Sequence, residues 1–194
     1  MKFSPELKFN IPEIWVKTVL ADFDSFLQDH ADCERKASAM AMSFVAKCPD
    51  KVEIIPNLIE TALEEMEHFK LVYQIMEKRK VRLKADMSKD YYIQYLIDLC
   101  RSSSNERLLD RMLLASIIEC RGAERFRLIA ENIEDPELKK FYKMLWISEA
   151  KHGNIFVKMI LNYHDEQEVY ERLDYLVNKE AEICSKLPIR AALH

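Results

Sequence analysis

The sequence predicts an all-α protein built as a four-helix bundle with additional short helices, and three observations carry that prediction. Its 194 residues include only two glycines and six prolines, against abundant Leu, Ala, Glu, Lys and Met, the residues that lose least freedom in a helix. Apolar residues recur every three or four positions through four long segments. The strong breaks between segments are few, at Pro49-Asp50, Ser102-Ser103-Ser104 and Asp135-Pro136. With 49% apolar content the chain can bury one sizeable core, so a single domain over residues 1–194 is expected.

The first apolar stripe is Ile14, Val19, Leu20, Phe23, Phe26 and Leu27, with Pro12 placed to open a helix. That helix, or a kinked pair, continues through Glu34 to about Lys47. A second runs from about Glu53 to Lys78 with Leu58, Ala62, Glu65, Phe69, Val72 and Ile75 inward. Residues 79–89 form a connector and residues 91–99 a short helix. Asn105 or a nearby serine can cap the third long helix, residues 106–132, whose register is Met112, Ala115, Glu119, Ala123, Phe126 and Ala130. Asp135 as N-cap with Pro136 in the first turn starts the fourth, to about Tyr163, carrying Phe141, Leu145, Glu149, His152 and Phe156 on one side. Residues 165–184 make a fifth amphipathic segment, and residues 187–194 a tail. Two long hairpins joined by a connector describe a ferritin-like bundle.

Five cysteines (Cys33, Cys48, Cys100, Cys120, Cys184) show no Cys-x-x-Cys spacing, and the odd count fits free thiols in a reducing compartment. Residues 1–10 lack the apolar run of a signal peptide, and no stretch approaches a membrane span, so a soluble, cytoplasmic protein is expected. A net charge of -4 gives no global case for nucleic-acid binding, although a local basic patch can supply one.

Chemistry enters with a repeated pattern. Glu65-x-x-His68 and Glu149-x-x-His152 each follow another glutamate, Glu34 and Glu119, at offsets of 31 and 30 residues. Positions three apart share a helix face, so each Glu-x-x-His presents a carboxylate and an imidazole to one point. Four carboxylates and two imidazoles suit a pair of iron or manganese ions. Ionised carboxylates on an apolar stripe are costly alone, and a bound cation supplies a reason for them. Glu124, five residues beyond Glu119, is a local rival; the repeat favours Glu119, leaving Glu124 to pair with an arginine or to support the ligands from behind. His30 and Asp29, one turn before Glu34, read as capping or core-polar residues, with a hydrogen bond to a ligand as the functional alternative. Trp15, Phe44, Phe69, Phe126 and Trp146 read as core.

Lys78, Arg79, Lys80, Arg82 and Lys84 crowd the end of the second helix. Such a run suits a solvated helix C-terminus and also a phosphate-contacting loop, to which Arg121, Arg125 and Arg127 of the third helix would add charge.

Four blocks together are similar to a known family: 29–37 (Asp-His-Ala-Asp-Cys-Glu-Arg-Lys-Ala), 62–69 (Ala-Leu-Glu-Glu-Met-Glu-His-Phe), 118–126 (Ile-Glu-Cys-Arg-Gly-Ala-Glu-Arg-Phe) and 148–152 (Ser-Glu-Ala-Lys-His). They resemble the signature blocks of the MiaE-type tRNA hydroxylases, and the resemblance covers most of the chain. Those enzymes are non-haem di-iron monooxygenases that hydroxylate the isopentenyl group of 2-methylthio-N6-isopentenyladenosine beside the tRNA anticodon. The resemblance implies two iron ions on Glu34, Glu65, His68, Glu119, Glu149 and His152, with Glu65 and Glu149 bridging. It also implies O2 as co-substrate, two electrons from an external reductase or electron carrier, and tRNA as partner. The prenyl group is then expected near the small residues Ala37, Ser38, Gly122 and Ala123. A monomer or dimer is expected; the alternative, a ferritin-like iron-oxidising, storage or peroxide-detoxifying protein, would assemble into a shell.

Overall fold

The computed structural model describes residues 3–85 and 89–193. Asp86, Met87 and Ser88 of the expected connector, His194 of the tail, and Met1 and Lys2 lie outside the described residues. Among those described there are seven helices and no strand: α1 (Glu13–Ala21), α2 (Phe23–Lys47), α3 (Ile55–Arg79), α4 (Tyr91–Ile97), α5 (Ser104–Asn132), α6 (Pro136–Ile160) and α7 (Glu166–Cys184). None of them is long and apolar enough to cross a membrane, and the five cysteines form no disulfide with one another.

Local chemistry sets most boundaries. The first expected helix resolves into a pair because Asp22 leaves helical geometry and its carboxylate caps α2 through the Ser25 amide at 3.3 Å. Asp90, Asp135 and Asp165 cap α4, α6 and α7 in the same way. Pro136 occupies the first turn of α6, where its missing N–H costs nothing. At α5 the N-cap is Ser103, whose hydroxyl turns to the Glu106 carboxylate instead of the backbone. Lys80 ends α3 in the left-handed region at φ 60, so a lysine does there what a glycine would do more cheaply.

The chain divides into two compact units: one holds Lys17–Lys89 with Arg190–Leu193, the other the rest of the described chain. In the first, α2 and α3 run antiparallel. Asp24 near the start of α2 pairs with Arg79 at the end of α3, Gln28 donates to the Arg82 carbonyl, and Ser38 further along α2 meets Ala62 early in α3. The tail returns to this unit, where the Leu193 amide donates to Asp29 at 2.7 Å and Ala192 and Leu193 are buried.

In the second unit α5 and α6 form the other antiparallel hairpin. Ser116 bonds the Gly153 carbonyl, and the rings of Phe126 and Tyr142 stand 5.7 Å apart. The helix α5 is also covered by α7, through Arg121 to Glu180 and Asp110 to Arg172. It is buried on more than one face, with Leu113, Leu114 and Ile117 interior beside the expected Met112, Ala115 and Phe126.

Several expected core positions shift by one residue. Ile14 faces solvent, and Trp15, Val16 and Val19 take the interior. Met76 is buried where Ile75 was expected, and Tyr142 where Phe141 was. Phe69 and Trp146 are half-buried, whereas Trp15, Phe44 and Phe126 are core.

Candidate metal centre

In the first unit the interior stripe of α2 carries His30, Glu34 and Ser38, and that of α3 carries Glu65 and His68. Glu34, Glu65 and His68 are at most 6% exposed, and each offers a ligand atom within 4.8 Å of the others. His68 Nδ1 stands 3.4 Å from Glu65 Oε2 and 3.8 Å from Glu34 Oε2. On the far side of Glu34, His30 Nε2 lies 2.6 Å from Oε1, both groups buried. The sequence left His30 between a core role and a supporting one; its ring both packs at a tilt against Phe26 and holds a ligand-type carboxylate. Asp29 meanwhile anchors the tail.

The second unit repeats the arrangement. Glu119 of α5 and Glu149 and His152 of α6 are buried, and their ligand atoms lie within 4.8 Å of one another. His152 Nδ1 stands 3.3 Å from Glu149 Oε2, so the same ring nitrogen faces the carboxylate in both hairpins. Glu124 points elsewhere, accepting from Arg121 and from the Ile11 amide at 3.2 Å. Gly122 lies beside the cluster: a Cβ there would stand 3.9 Å from Glu149 Cγ. Ala123 is buried on the same helix. In the first unit Ser38 is buried with its hydroxyl on the Ala62 carbonyl at 2.8 Å, and Ala37 is half-buried.

Each trio gathers two carboxylates and an imidazole into a small buried volume. Hard oxygen donors with borderline nitrogen suit iron or manganese. Two divalent ions would neutralise the four carboxylates, whose burial as unneutralised anions would be strongly unfavourable. On donor chemistry the residues fit such ions.

The basic residues divide. Lys78, Arg79, Lys80, Arg82 and Lys84 are exposed, Arg79 being held by Asp24 at 2.7 Å and stacked on Phe23. Arg121 and Arg125 were expected to meet phosphate, and their placement overturns that. Arg121 is fully buried, with Nε 2.7 Å and Nη2 2.8 Å from the Glu180 carboxylate and Nη1 2.9 Å from the Phe9 carbonyl. Arg125 is 5% exposed and lies over the rings of Trp15 and Tyr92. Arg127 pairs with Glu131 along α5. An ion pair with good geometry and stacking on aromatic faces let guanidinium groups enter a core.

The Glu180 network was not anticipated from the sequence. Glu180 accepts from Arg121, from Tyr92 at 3.1 Å and from Cys184 at 3.0 Å. Burial pushes its carboxyl up, but Arg121 and the other donors more than offset this and hold it below the ordinary range. Burial, and then Glu180, raise the Cys184 thiol to about 12; burial above all raises Cys120 to about 12 as well. One signal was available: Glu180 falls on the buried stripe of α7 with Val169, Leu173, Leu176, Val177 and Cys184, and a carboxylate on an apolar stripe needs a partner.

Fold and site together define a class, the ferritin-like helical proteins whose hairpins bury clusters of glutamate and histidine able to hold metal. Comparison with known proteins carries this further. The family model described as tRNA-(MS[2]IO[6]A)-hydroxylase (MiaE) matches residues 2–194, and the chain belongs to that family. It is 33% identical over 172 residues, 89% of this chain and 83% of the other, to tRNA 2-(methylsulfanyl)-N(6)-isopentenyladenosine(37) hydroxylase of Pseudomonas putida. The Salmonella typhimurium protein of the same description is 25% identical over 131 residues, 68% of this chain and 47% of that protein. Among solved structures, a Synechococcus protein with aldehyde deformylating oxygenase activity superposes with a TM-score of 0.92 at 28% identity, covering 100% of this chain and 96% of that one.

Proposed function

We propose that this protein is a di-iron monooxygenase that hydroxylates the isopentenyl group of 2-methylthio-N6-isopentenyladenosine in tRNA. The observation that carries the reading is the repeated trio, a glutamate with a Glu-x-x-His buried in each hairpin of a chain belonging to the MiaE family. In this reading the chain acts as one domain, and Glu34, Glu65 and His68 join Glu119, Glu149 and His152 to hold two iron ions. The bound irons supply O2 activation and insertion of one oxygen atom into a C–H bond, with two electrons from an external reductase or carrier.

The chain's own residues do the rest. The carboxylates balance the metal charge, the Nδ1 atoms of His68 and His152 face the carboxylates, and His30 fixes the orientation of Glu34. Ala37, Ser38, Gly122 and Ala123 leave room for an apolar prenyl chain and keep water from it. Taking a base out of its stack costs a few kcal/mol. Phosphate contacts from Lys78, Lys80, Arg82 and Lys84 offset that cost, with a smaller share from Arg79, already bound to Asp24. The protein works in the cytoplasm as a monomer or dimer, and a shell-sized mass would instead favour iron storage.

Nucleoside mass spectrometry of tRNA from cells with and without the gene tests the reaction. The expected result is a prenylated adenosine that gains one oxygen only when the gene is present; an unchanged set of nucleosides would sink the reading. Charge reversal at Lys80 and Arg82 tests the phosphate-binding surface. It should weaken tRNA binding and flatten its salt dependence, the log–log slope falling by about 0.7 for each single-strand phosphate that the protein no longer neutralises.

A further inference from the structure

The α5–α6 hairpin closes differently from α2–α3 at its ligand layer. Gly153 follows His152 directly and lies in the interior of α6. A glycine there costs the helix roughly 0.5–1 kcal/mol relative to alanine, so something other than helix stability accounts for it. A Cβ built on Gly153 would overlap the Cys120 sulfur and stand 3.4 Å from the Ser116 carbonyl oxygen. Ser116 and Cys120 are one turn apart on α5, and Glu119 lies between them in sequence. The α6 backbone at Gly153 is thus seated against the turn of α5 that carries Glu119. The Ser116 hydroxyl holds it there by donating to the Gly153 carbonyl at 2.6 Å.

We infer that Gly153, with Ser116, is a positioning device for the metal centre, setting the separation and rotation of α5 and α6 so that Glu119, Glu149 and His152 converge. The inference rests on the di-iron reading and adds to it what fixes the second trio. Glu119 adjoins Cys120 and His152 adjoins Gly153, so any displacement at this contact passes directly to two ligands. A helical hairpin tolerates a shift of about half an ångström far better than a metal site, whose ligand distances are held to about 0.2 Å. The α2–α3 hairpin has a hydroxyl tie of its own, Ser38 to the Ala62 carbonyl at 2.8 Å, made at a different place relative to its ligands and to an alanine instead of a glycine.

The test is anaerobic Co(II) titration of the full chain, following the d–d absorption bands, with circular dichroism as a check on fold. The wild type should bind two Co(II); if it binds none, the di-iron reading fails and the positioning role is overturned with it. Gly153→Ala should keep the helical spectrum while binding at least one Co(II) about tenfold more weakly, with altered bands. Adding Cys120→Ala removes the sulfur that the new methyl meets, and should restore affinity to within about threefold of Cys120→Ala alone. Wild-type affinity and bands in Gly153→Ala, or a double variant as weak as the single, would overturn the inference while leaving the metal reading intact. If Gly153→Ala does not fold, Ser116→Ala decides: a loss of threefold or more in Co(II) affinity at an unchanged helical spectrum supports the role, and unchanged affinity overturns it.

Discussion

The two hairpins carry the same trio of donors, yet they are supported in opposite ways. In α2–α3 the support comes from the same helix: His30, one turn before Glu34, holds its carboxylate. The position two residues beyond Glu34 is Lys36, exposed and paired with Asp32. In α5–α6 the residue one turn before Glu119 is Ala115, which offers no polar group, while the residue two beyond is Arg121, buried against Glu180 of α7 and the Phe9 carbonyl. The first hairpin orients a ligand through an imidazole. The second fixes the helix that bears the ligand, through an ion pair to a different element.

The largest expected effect breaks the second arrangement. Replacing Arg121 with Met leaves Glu180 buried without its ion-pair partner, a loss of about 3–5 kcal/mol. Lys36→Met at the matching position should change stability by less than about 0.5 kcal/mol, as surface pairs do. Urea unfolding of both variants measures the contrast, and comparable losses would remove the distinction drawn between the hairpins.

Next in size is the first hairpin's own device. His30→Phe keeps an aromatic ring on Phe26 but removes the nitrogen that meets Glu34. Losing a partner of this kind typically lowers metal affinity 10–100-fold. His30→Asn should recover part of the loss if the hydrogen bond matters, and none of it if the ring's bulk does. Metal titration separates the two outcomes.

A smaller effect appears in acid. The Glu180 carboxyl is depressed in the native protein, so its contribution is fully present above the ordinary carboxylate range and is lost as pH falls through the lowered native value. Asp110 behaves likewise: burial pushes it up, and the hydrogen bonds of Arg101 and Arg172 pull it below the ordinary range. In Arg121→Met the burial remains and the arginine does not, so protonation of Glu180 relieves the variant. The stability gap between chelator-treated wild type and variant should therefore narrow between pH 7 and pH 4, by about 1.4 kcal/mol for each unit of the rise in the Glu180 pKa that falls within that window. A gap independent of pH would show that Arg121 acts by packing alone.

These contrasts also mark what a sequence discloses. The starts of α6 and α7 were legible because Asp135-Pro136 and Asp165 act on amides within three residues. The pairing of Glu65 with His68 and of Glu149 with His152 was legible because three-residue spacing on a helix is itself geometry, while Glu34 and Glu119 were legible only through the near-equal offsets of the repeat. Arg121 and Arg125 were misread as surface charge, since their partners, Glu180, Phe9, Trp15 and Tyr92, lie far off in sequence and only tertiary packing brings them together. Ile14 was misplaced in the interior for a related reason: periodicity limits the buried stripe to about one residue, and contacts such as Arg125 over Trp15 choose within that limit. Whether His30 touched Glu34 depended on side-chain direction, which a four-residue spacing permits and does not require.

The smallest expected effect compares the two glycines. Gly122 and Gly153 both lie inside helices beside metal-type ligands, so composition alone treats them alike. A methyl at Gly122 would meet Glu149 Cγ at 3.9 Å, ordinary van der Waals contact, whereas one at Gly153 collides with the Cys120 sulfur. Gly122→Ala should therefore stabilise α5 by roughly 0.5–1 kcal/mol, through the smaller backbone entropy lost on folding, and should leave metal affinity unchanged. Any cost should fall on the prenylated substrate, as a raised KM with little change in kcat, because the added methyl occupies space and touches no reacting group. A weakened metal site in Gly122→Ala would mean that both glycines set helix spacing, and the division between a spacing glycine and a pocket glycine would have to be abandoned.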